Sequence, residues 1–489
     1  MTDFRIAIVG SGFAGLGMAI RLKAAGIQDF TVLERADEVG GTWRDNTYPN
    51  CACDVPSHLY SFSFAPNPGW SRTFSAQPEI WEYLRRVAEE YGIRPYIRFG
   101  HELTGAAWNE QRKVWRIETS RGPITARVLV AGMGGLSEPA LPAIPGLEGF
   151  QGTAFHSATW DHHHDLTGER VAVIGTGASA IQFVPAIQPR VSRLHVFQRT
   201  PPWIMPRPDR PVTAVERRVY RALPAAQKLM RAGIYAAREL IVLGFMHPWA
   251  NAAGPERIAR RHLAHQVPDP EERARLTPNY TFGCKRVLIS NDYLPALTQP
   301  SVELVTDGIS EIRPRSVVSP DGTEREVDTI IFGTGFHVAD LPAAARLRGR
   351  GGRLLADVWQ GSPQAHRGTT IAGFPNLFML TGPNTGLGHN SMVYMIESQL
   401  GYVIGCLRAM DARGSDTAEV RPEAQAAYND SIQAATEGSV WTSGGCRSWY
   451  LGADGRNRML WPGFSWLSRR ATRRFDPAEY ILEPEAVAA

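Results

Sequence analysis

The strongest constraint on this chain is a pattern that occurs twice. Residues Arg5 to Val9 form a short apolar run. Gly10, Gly12 and Gly15 follow in G-x-G-x-x-G spacing, and an apolar stretch then runs from Leu16 to Ala25. The order is strand, glycine-rich turn, helix. Such glycines permit a tight turn, close approach of backbone to a pyrophosphate, and close packing of helix on sheet, with the phosphates on the helix N-terminus. The pattern returns at Arg170. Val171 to Ile174 reads as a strand, the loop runs from Gly175 and Gly177 through Ala178 and Ser179 to Ala180, and Ile181 to Ile187 opens a helix. One copy alone is weak evidence. Two copies in full context predict an α/β fold with two Rossmann-like dinucleotide-binding domains.

The copies differ at a matched slot. The strand Thr31 to Leu33 ends at Glu34, 24 positions after Gly10, and Leu194 to Gln198 ends at Arg199, 24 positions after Gly175. A carboxylate suits a free ribose diol, whereas a guanidinium suits a ribose 2′-phosphate. The first unit is therefore expected to bind FAD or NAD, and the second NADPH.

Composition narrows the class. With 43% hydrophobic residues and a net charge of +4 over 489 residues, the chain is neither disordered nor of nucleic-acid-binding composition. Only Lys23, Lys113, Lys228 and Lys285 are lysines, so a lysine in a suggestive place stands out. Five cysteines argue against a disulfide framework. Cys51 and Cys53 are spaced C-x-C, and no C-x-x-C exists, which disfavours a flavin disulfide reductase. The nearest approach to a membrane span, Ile234 to Met246, is interrupted by Arg238 and Glu239. With no secretory signal before Arg5, a cytoplasmic protein without stable membrane insertion is expected.

Between the units, Pro78 to Tyr91 reads as a helix and Val114 to Thr119 and Arg127 to Ala131 as strands. Pro-rich breaks lie at Pro139 to Pro145 and Pro201 to Pro211. Val215 to Arg275 is helix-like and Arg-rich, read as an insertion with a solvated face. Val302 to Val305 and Val327 to Phe332 return to the sheet, and Met392 to Arg408 reads as a helix. The expected division is an FAD-binding domain of residues 1–138 and 370–489 and an NADP-binding domain of 150–205 and 283–340. A helical insertion occupies 206–282, with linkers at 139–149 and 341–369.

Several long-spaced motifs then resemble one family. Phe150, Gly152, His156, Trp160 and Asp161 match F-x-G-x-x-x-H-x-x-x-W-[P/D], the signature of type I Baeyer–Villiger monooxygenases, and lie between the two glycine-rich units as they do there. Gly40, Gly41, Trp43, Tyr48, Pro49 and Asp54 resemble a second family pattern, in which Asn50 replaces the usual Gly or Met. Gly283 to Arg286 resembles the catalytic-arginine segment. Asp328 to Phe336 resembles the family's ATGF strand, with Gly333 in place of Ala. Ser448, Trp449 and Tyr450 resemble its cofactor-contacting loop. The resemblance covers nearly the whole chain and is nearest the cyclohexanone- and hydroxyacetophenone-oxidising branches.

The resemblance implies an FAD- and NADPH-dependent enzyme that turns a small-molecule ketone into an ester or lactone with O2, through a C4a-peroxyflavin. It implies Arg286 and Asp54 as catalytic residues, the arginine because it stays charged and offers several donors to an anionic oxygen. FAD contacts carried over are Gly10, Gly12, Gly15, Glu34, Thr42, Trp43, Asp54, Tyr60, Met392 and the Leu103 backbone. NADP contacts are Gly175, Gly177, Ala178, Ser179, Arg199, Thr200, Lys285, Arg286 and Trp449. His156 is expected to couple domains rather than to catalyse. The run His162 to His164 is not expected to bind metal, since three adjacent side chains cannot converge on one ion. The nearest rival is an N- or S-oxygenating flavin monooxygenase, disfavoured by Trp160, Asp161 and Arg286. A monomer or weak homo-oligomer is expected, with no nucleic-acid partner.

Overall fold

The computed structural model describes residues 2–484. Phe4–Val9 is the axis of the first sheet. It pairs in parallel with Phe30–Leu33 on one side and Ile124–Ala131 on the other. Ile6, Ile8, Val32 and Val130 are fully buried, because helices and further chain cover both faces of a parallel sheet. Leu103–Asn109, Val114–Thr119 and Ile124–Ala131 make an antiparallel meander beside this axis. Much later in the chain, Leu377–Met379 returns to pair with Leu129–Ala131, so the first unit is discontinuous. The segment 341–369 is more than a connection: Leu347–Arg348 pairs with Ala106 and Ala107 as the outermost strand.

Helix Gln77–Glu90 starts one residue before the sequence suggests. Pro78 lies in its first turn, and Gly92 just past its end takes a left-handed φ of 58°. Ile80, Leu84, Val87 and Ala88 form its buried face. Helix Met392–Arg413 runs five residues beyond the predicted end and stops at Gly414, again left-handed.

The second sheet has five parallel strands, in the order Val302–Val305, Arg193–Phe197, Arg170–Ile174, Thr329–Phe332 and Thr153–His156. Val327 and Asp328 fall just before the strand predicted to contain them. This unit is reached and left through one paired crossing. Ala140 N–H donates to Gly335 O at 2.9 Å, and His337 N–H donates to Glu138 O at 2.9 Å.

The insertion is helical: Ala214–Ala222, Pro224–Glu239, Val242–Met246, Pro248–Ala253, Pro255–Gln266 and Pro270–Arg275. Its arginines are not all a solvated face. Arg231 is half-buried and donates to the carbonyls of His58, Leu59 and Ser61 at 2.8, 3.3 and 3.0 Å. Among the described residues no helix is long and apolar enough to cross a membrane.

Candidate active site

Both glycine-rich turns have the shape a pyrophosphate needs. Gly10 has φ of 92°, and a Cβ there would lie 2.7 Å from Gly132 O. A Cβ on Gly15 would lie 1.8 Å from Gly10 O, so helix and turn touch backbone to backbone. Helix Phe13–Ala24 begins with no side-chain cap and no acid in its first turn. Its N-terminal N–H groups are left for an anion. In the second unit Gly175 has φ of 106°, with a Cβ position 2.5 Å from Gly333 O. Gly177 and Ala178 are exposed, and helix Ala180–Ile187 likewise lacks a side-chain cap and a first-turn acid. Gly15→Ala is expected to destabilise the fold by at least about 1–3 kcal/mol and to yield colourless protein. Flavin absorbance and a thermal melt check both.

Glu34 is buried at 3% exposure. Its Oε2 accepts from Ser11 N and Oγ at 2.9 and 2.6 Å, and its Oε1 accepts from Ala36 N at 3.0 Å and lies 2.9 Å from Arg44 Nη1. Burial pushes this carboxyl up, but Arg44 and the Ser11 and Ala36 donors outweigh it and hold it below its ordinary range. A ribose hydroxyl can join by displacing the rotatable Ser11 hydroxyl. At the matched slot Arg199 is exposed and makes no hydrogen bond or ion pair among the described residues. Lys285 Nζ sits over the Tyr280 ring, 5.1 Å from its centroid. Burial and the Arg199 charge push the Lys285 ammonium below its usual value. Two neighbouring cations without an acid fit a phosphate dianion.

Arg286 gathers three distant stretches. Its Nε and Nη2 donate to Asp54 Oδ2 at 3.1 and 2.6 Å, and its Nη1 donates to Leu387 O at 3.0 Å. The two side chains keep 26% and 32% of their surface accessible, so the pair is open to a ligand. Burial raises the Asp54 carboxyl, the Arg286 charge more than compensates, and the result lies below the usual range. Asp54 in turn raises the guanidinium. Because the folded carboxyl titrates lower than a free one, the pair's contribution is complete above about pH 4 and is lost only as pH falls through the folded value. Ester formation should therefore show no acid limb from this pair at mildly acidic pH. A limb in the histidine range in a pH profile of kcat/KM would assign it elsewhere.

Of the predicted residues, Tyr60 lies near this pair and Trp43 is hydrogen-bonded to Tyr60. Trp43 Nε1 donates to Tyr60 Oη at 3.0 Å, and the Tyr60 ring also meets Phe13 edge-on at 5.2 Å. Thr42 opens the short helix Thr42–Asp45. Asn50 has φ of 61°, the conformation for which glycine is favoured and which asparagine tolerates best among other residues. The departure from the family pattern thus keeps the turn. Met392 begins its helix, which Ser391 caps by accepting from Val393 N at 3.2 Å. Trp449 is 47% exposed and packs edge-on against Tyr450 at 4.5 Å. Leu103 lies apart in the meander, its carbonyl accepting from Arg346 Nη1 at 2.9 Å. Thr200 follows Arg199 beyond the strand end.

The fingerprint does structural work here. A Cβ on Gly152 would lie 2.2 Å from Asp328 O. His156 is buried, and its Nδ1 accepts from Ala158 N at 3.0 Å while Nε2 faces the Gly335 backbone. Trp160 packs on Phe155 and Phe183. Asp161 Oδ1 accepts from His163 N at 2.9 Å. His162 turns to Thr47, whereas His164 turns to Glu169 and Thr329.

Three features of the site escaped the sequence, and a fourth, Tyr450, was legible only as part of the resembled loop. Gln182 clips the units together: its Oε1 accepts from Ala52 N at 3.1 Å and its Nε2 donates to Ala52 O at 3.0 Å. Tyr450 is buried beside the Arg286–Asp54 pair, and burial pushes its hydroxyl up to about 12. Glu239 is buried and accepts from Asn390 Nδ2 and Ser465 Oγ, both at 2.6 Å. Contrary to the expectation from composition, Cys284 and Cys446, 162 residues apart, form a disulfide. It fastens the Trp449 loop beside Lys285 and Arg286. Cys51, Cys53 and Cys406 are free and buried.

Residues 7–237 match the family described as pyridine nucleotide-disulphide oxidoreductase. The chain is 55% identical over 484 residues to a Baeyer–Villiger monooxygenase of Streptomyces coelicolor, covering 98% of this chain and 93% of that one. It is 51% identical to a Baeyer–Villiger monooxygenase of Pseudomonas aeruginosa, over 99% and 92% of the two chains. Among solved structures, an oxidized steroid monooxygenase bound to NADP superposes with a TM-score of 0.86 at 31% identity, over 99% and 100% of the chains. Cyclohexanone monooxygenase from Rhodococcus sp. Phi1 bound to NADP+ superposes with a TM-score of 0.87 at 28% identity over the same shares.

Proposed function

The chain belongs to the Baeyer–Villiger monooxygenases, and on that premise we propose that Arg286, steered by Asp54, is the group that makes oxygen insertion possible. The enzyme converts a ketone to an ester or lactone, consuming NADPH and O2. When bound, FAD accepts a hydride from NADPH and activates O2, chemistry no side chain supplies.

The protein's own residues do the rest. The turn from Gly10 to Gly15 and the uncapped helix behind it hold the FAD pyrophosphate, and Glu34 accepts from the ribose. The turn from Gly175 to Ser179 holds the nicotinamide dinucleotide, and Arg199 and Lys285 share its 2′-phosphate. Trp449, exposed on the loop fastened by Cys446, would contact this cofactor when it is bound. Arg286 stays protonated at every accessible pH and presents donors to the oxygen that carries negative charge beside the ketone. Asp54 occupies the Nε edge of the guanidinium, which fixes the direction of the others. Burial around the pair strengthens these interactions by excluding water.

The observation that carries this reading is the Arg286–Asp54 contact of 2.6 Å, which joins a residue close to the first glycine-rich unit to one close to the second. A panel of ketones, amines and sulfides tests it, with products identified under NADPH and O2. Esters or lactones are expected from the ketones. Oxidised amines or sulfides with no ester from any ketone would refute the assignment. Reliance on NADPH fits a cytoplasmic enzyme, and fractionation of cells tests that part.

A further inference from the structure

One helix of the insertion is amphipathic the wrong way round. Along Pro224–Glu239 the polar side chains other than the exposed Lys228 turn inward. Gln227 donates to Asn67 O at 2.7 Å, Tyr235 Oη meets Ser465 Oγ at 3.1 Å, and Arg231 and Glu239 make the internal bonds described above. The outward face is apolar, with Leu229 at 75% and Leu240 at 64% exposure and exposed alanines between them. The neighbouring helices bury apolar faces in the ordinary way but add exposed apolar side chains to the same surface, with Val215 at 69%, Leu223 at 61% and Trp249 at 76%. A helix on a water-facing surface normally shows the reverse arrangement. Ten of the 17 exposed large hydrophobic residues described for the chain fall between 215 and 258.

Charge on the same segment is one-sided. Residues 214–266 contain nine Arg or Lys and three Glu, and of the nine Arg218, Arg221, Lys228, Arg257, Arg260 and Arg261 are exposed, whereas Arg217, Arg231 and Arg238 are half-buried. Of the three acids only Glu256 offsets a basic side chain of this window. Glu216 is paired with Arg210, Glu256 with Arg260, and Glu239 is buried. Beside the apolar stripe lies an open recess of about 480 Å³ lined by Ala214, Arg217, Arg218, Arg221 and Ala222.

We propose that this insertion docks the enzyme on the surface of an anionic lipid bilayer. The helices lie on the membrane without spanning it. Leu229, Leu240 and their neighbours reach the acyl boundary, Trp249 sits at headgroup depth, and the arginines meet lipid phosphates. A second copy of this chain is the poorer occupant, because two such faces repel each other. The inference stands on the surface alone and not on the reaction, so the two readings fail separately.

The test is sedimentation of the FAD-loaded, full-length enzyme with vesicles of phosphatidylcholine, with and without phosphatidylglycerol. Pelleting with the anionic vesicles is expected, at least about tenfold stronger than with neutral ones, and weakening as salt is raised. Leu229→Glu with Leu240→Glu should abolish pelleting while turnover of a water-soluble ketone and flavin content stay unchanged. Should that variant fold poorly, Arg218→Glu with Arg221→Glu should do the same through charge. Absence of pelleting with either vesicle would overturn the proposal. So would a dimer, detected by light scattering, that Leu229→Glu dissociates.

Discussion

Arg286→Ala is expected to bind FAD and to consume NADPH but to form no measurable ester. Removing a charged donor from a developing anion costs about 10²–10³ in rate. Here the loss is expected to exceed that range, because oxygen that is activated but not held has another exit as hydrogen peroxide. The Asp54 carboxylate would be left without its main partner, so some loss of stability should accompany the defect. Asp54→Ala should give a milder form of it. Arg286 would keep its charge and its bond to Leu387 O, but lose the carboxylate that sets its direction. The measurements are flavin reduction by stopped flow, peroxide yield and ester yield in both variants. Undiminished ester from Arg286→Ala would move the catalytic role to another group.

Arg199→Ala should change which cofactor the enzyme prefers. Arg199 and Lys285 place two cations at the second unit's ribose slot with no acid among their described partners. A charge-assisted hydrogen bond contributes about 1.5–3 kcal/mol, or roughly 10- to 100-fold in binding. The KM for NADPH should rise by that factor while the KM for NADH stays near its starting value. Arg199→Ala with Lys285→Ala should remove most of the preference. The kcat should fall little at saturating NADPH, since the 2′-phosphate lies far from the transferred hydride. Equal kinetics with NADPH and NADH in the unaltered enzyme would show that the second unit reads the ribose differently.

What the sequence revealed was local. The two turns were legible because their apolar strands, glycines and strand-end charges lie within 29 positions of one another. Asp54 and Arg286 were legible only through family resemblance, since 232 residues separate them and nothing near either one names the other. Gln182 and Glu239 are ordinary residues until folding brings Ala52 and Asn390 against them, and Tyr450 was legible as a loop residue but not as a neighbour of Arg286. The Cys284–Cys446 disulfide escaped for the same reason, as composition measures how many cysteines there are and not which ones meet. In the insertion, helical periodicity was readable, but the sign of the amphipathicity was not. A 3.6-residue repeat tells which residues share a face and leaves open whether that face looks in or out.

The paired crossing at residues 138–140 and 335–337 gives the second unit a property that the first lacks. Its incoming and outgoing strands are hydrogen-bonded to each other, so the polypeptide between them is a single uninterrupted cassette whose two ends already touch. Such a cassette can be exchanged for a relative's by cutting at neighbouring points and bridging a few ångströms, provided the replacement keeps Cys284, which is bonded to Cys446 of the first unit. The first unit offers no equivalent cut, because Leu377–Met379 must come back to complete its sheet. Natural or engineered swaps of cofactor preference in this architecture therefore have one cheap route, through the inserted half.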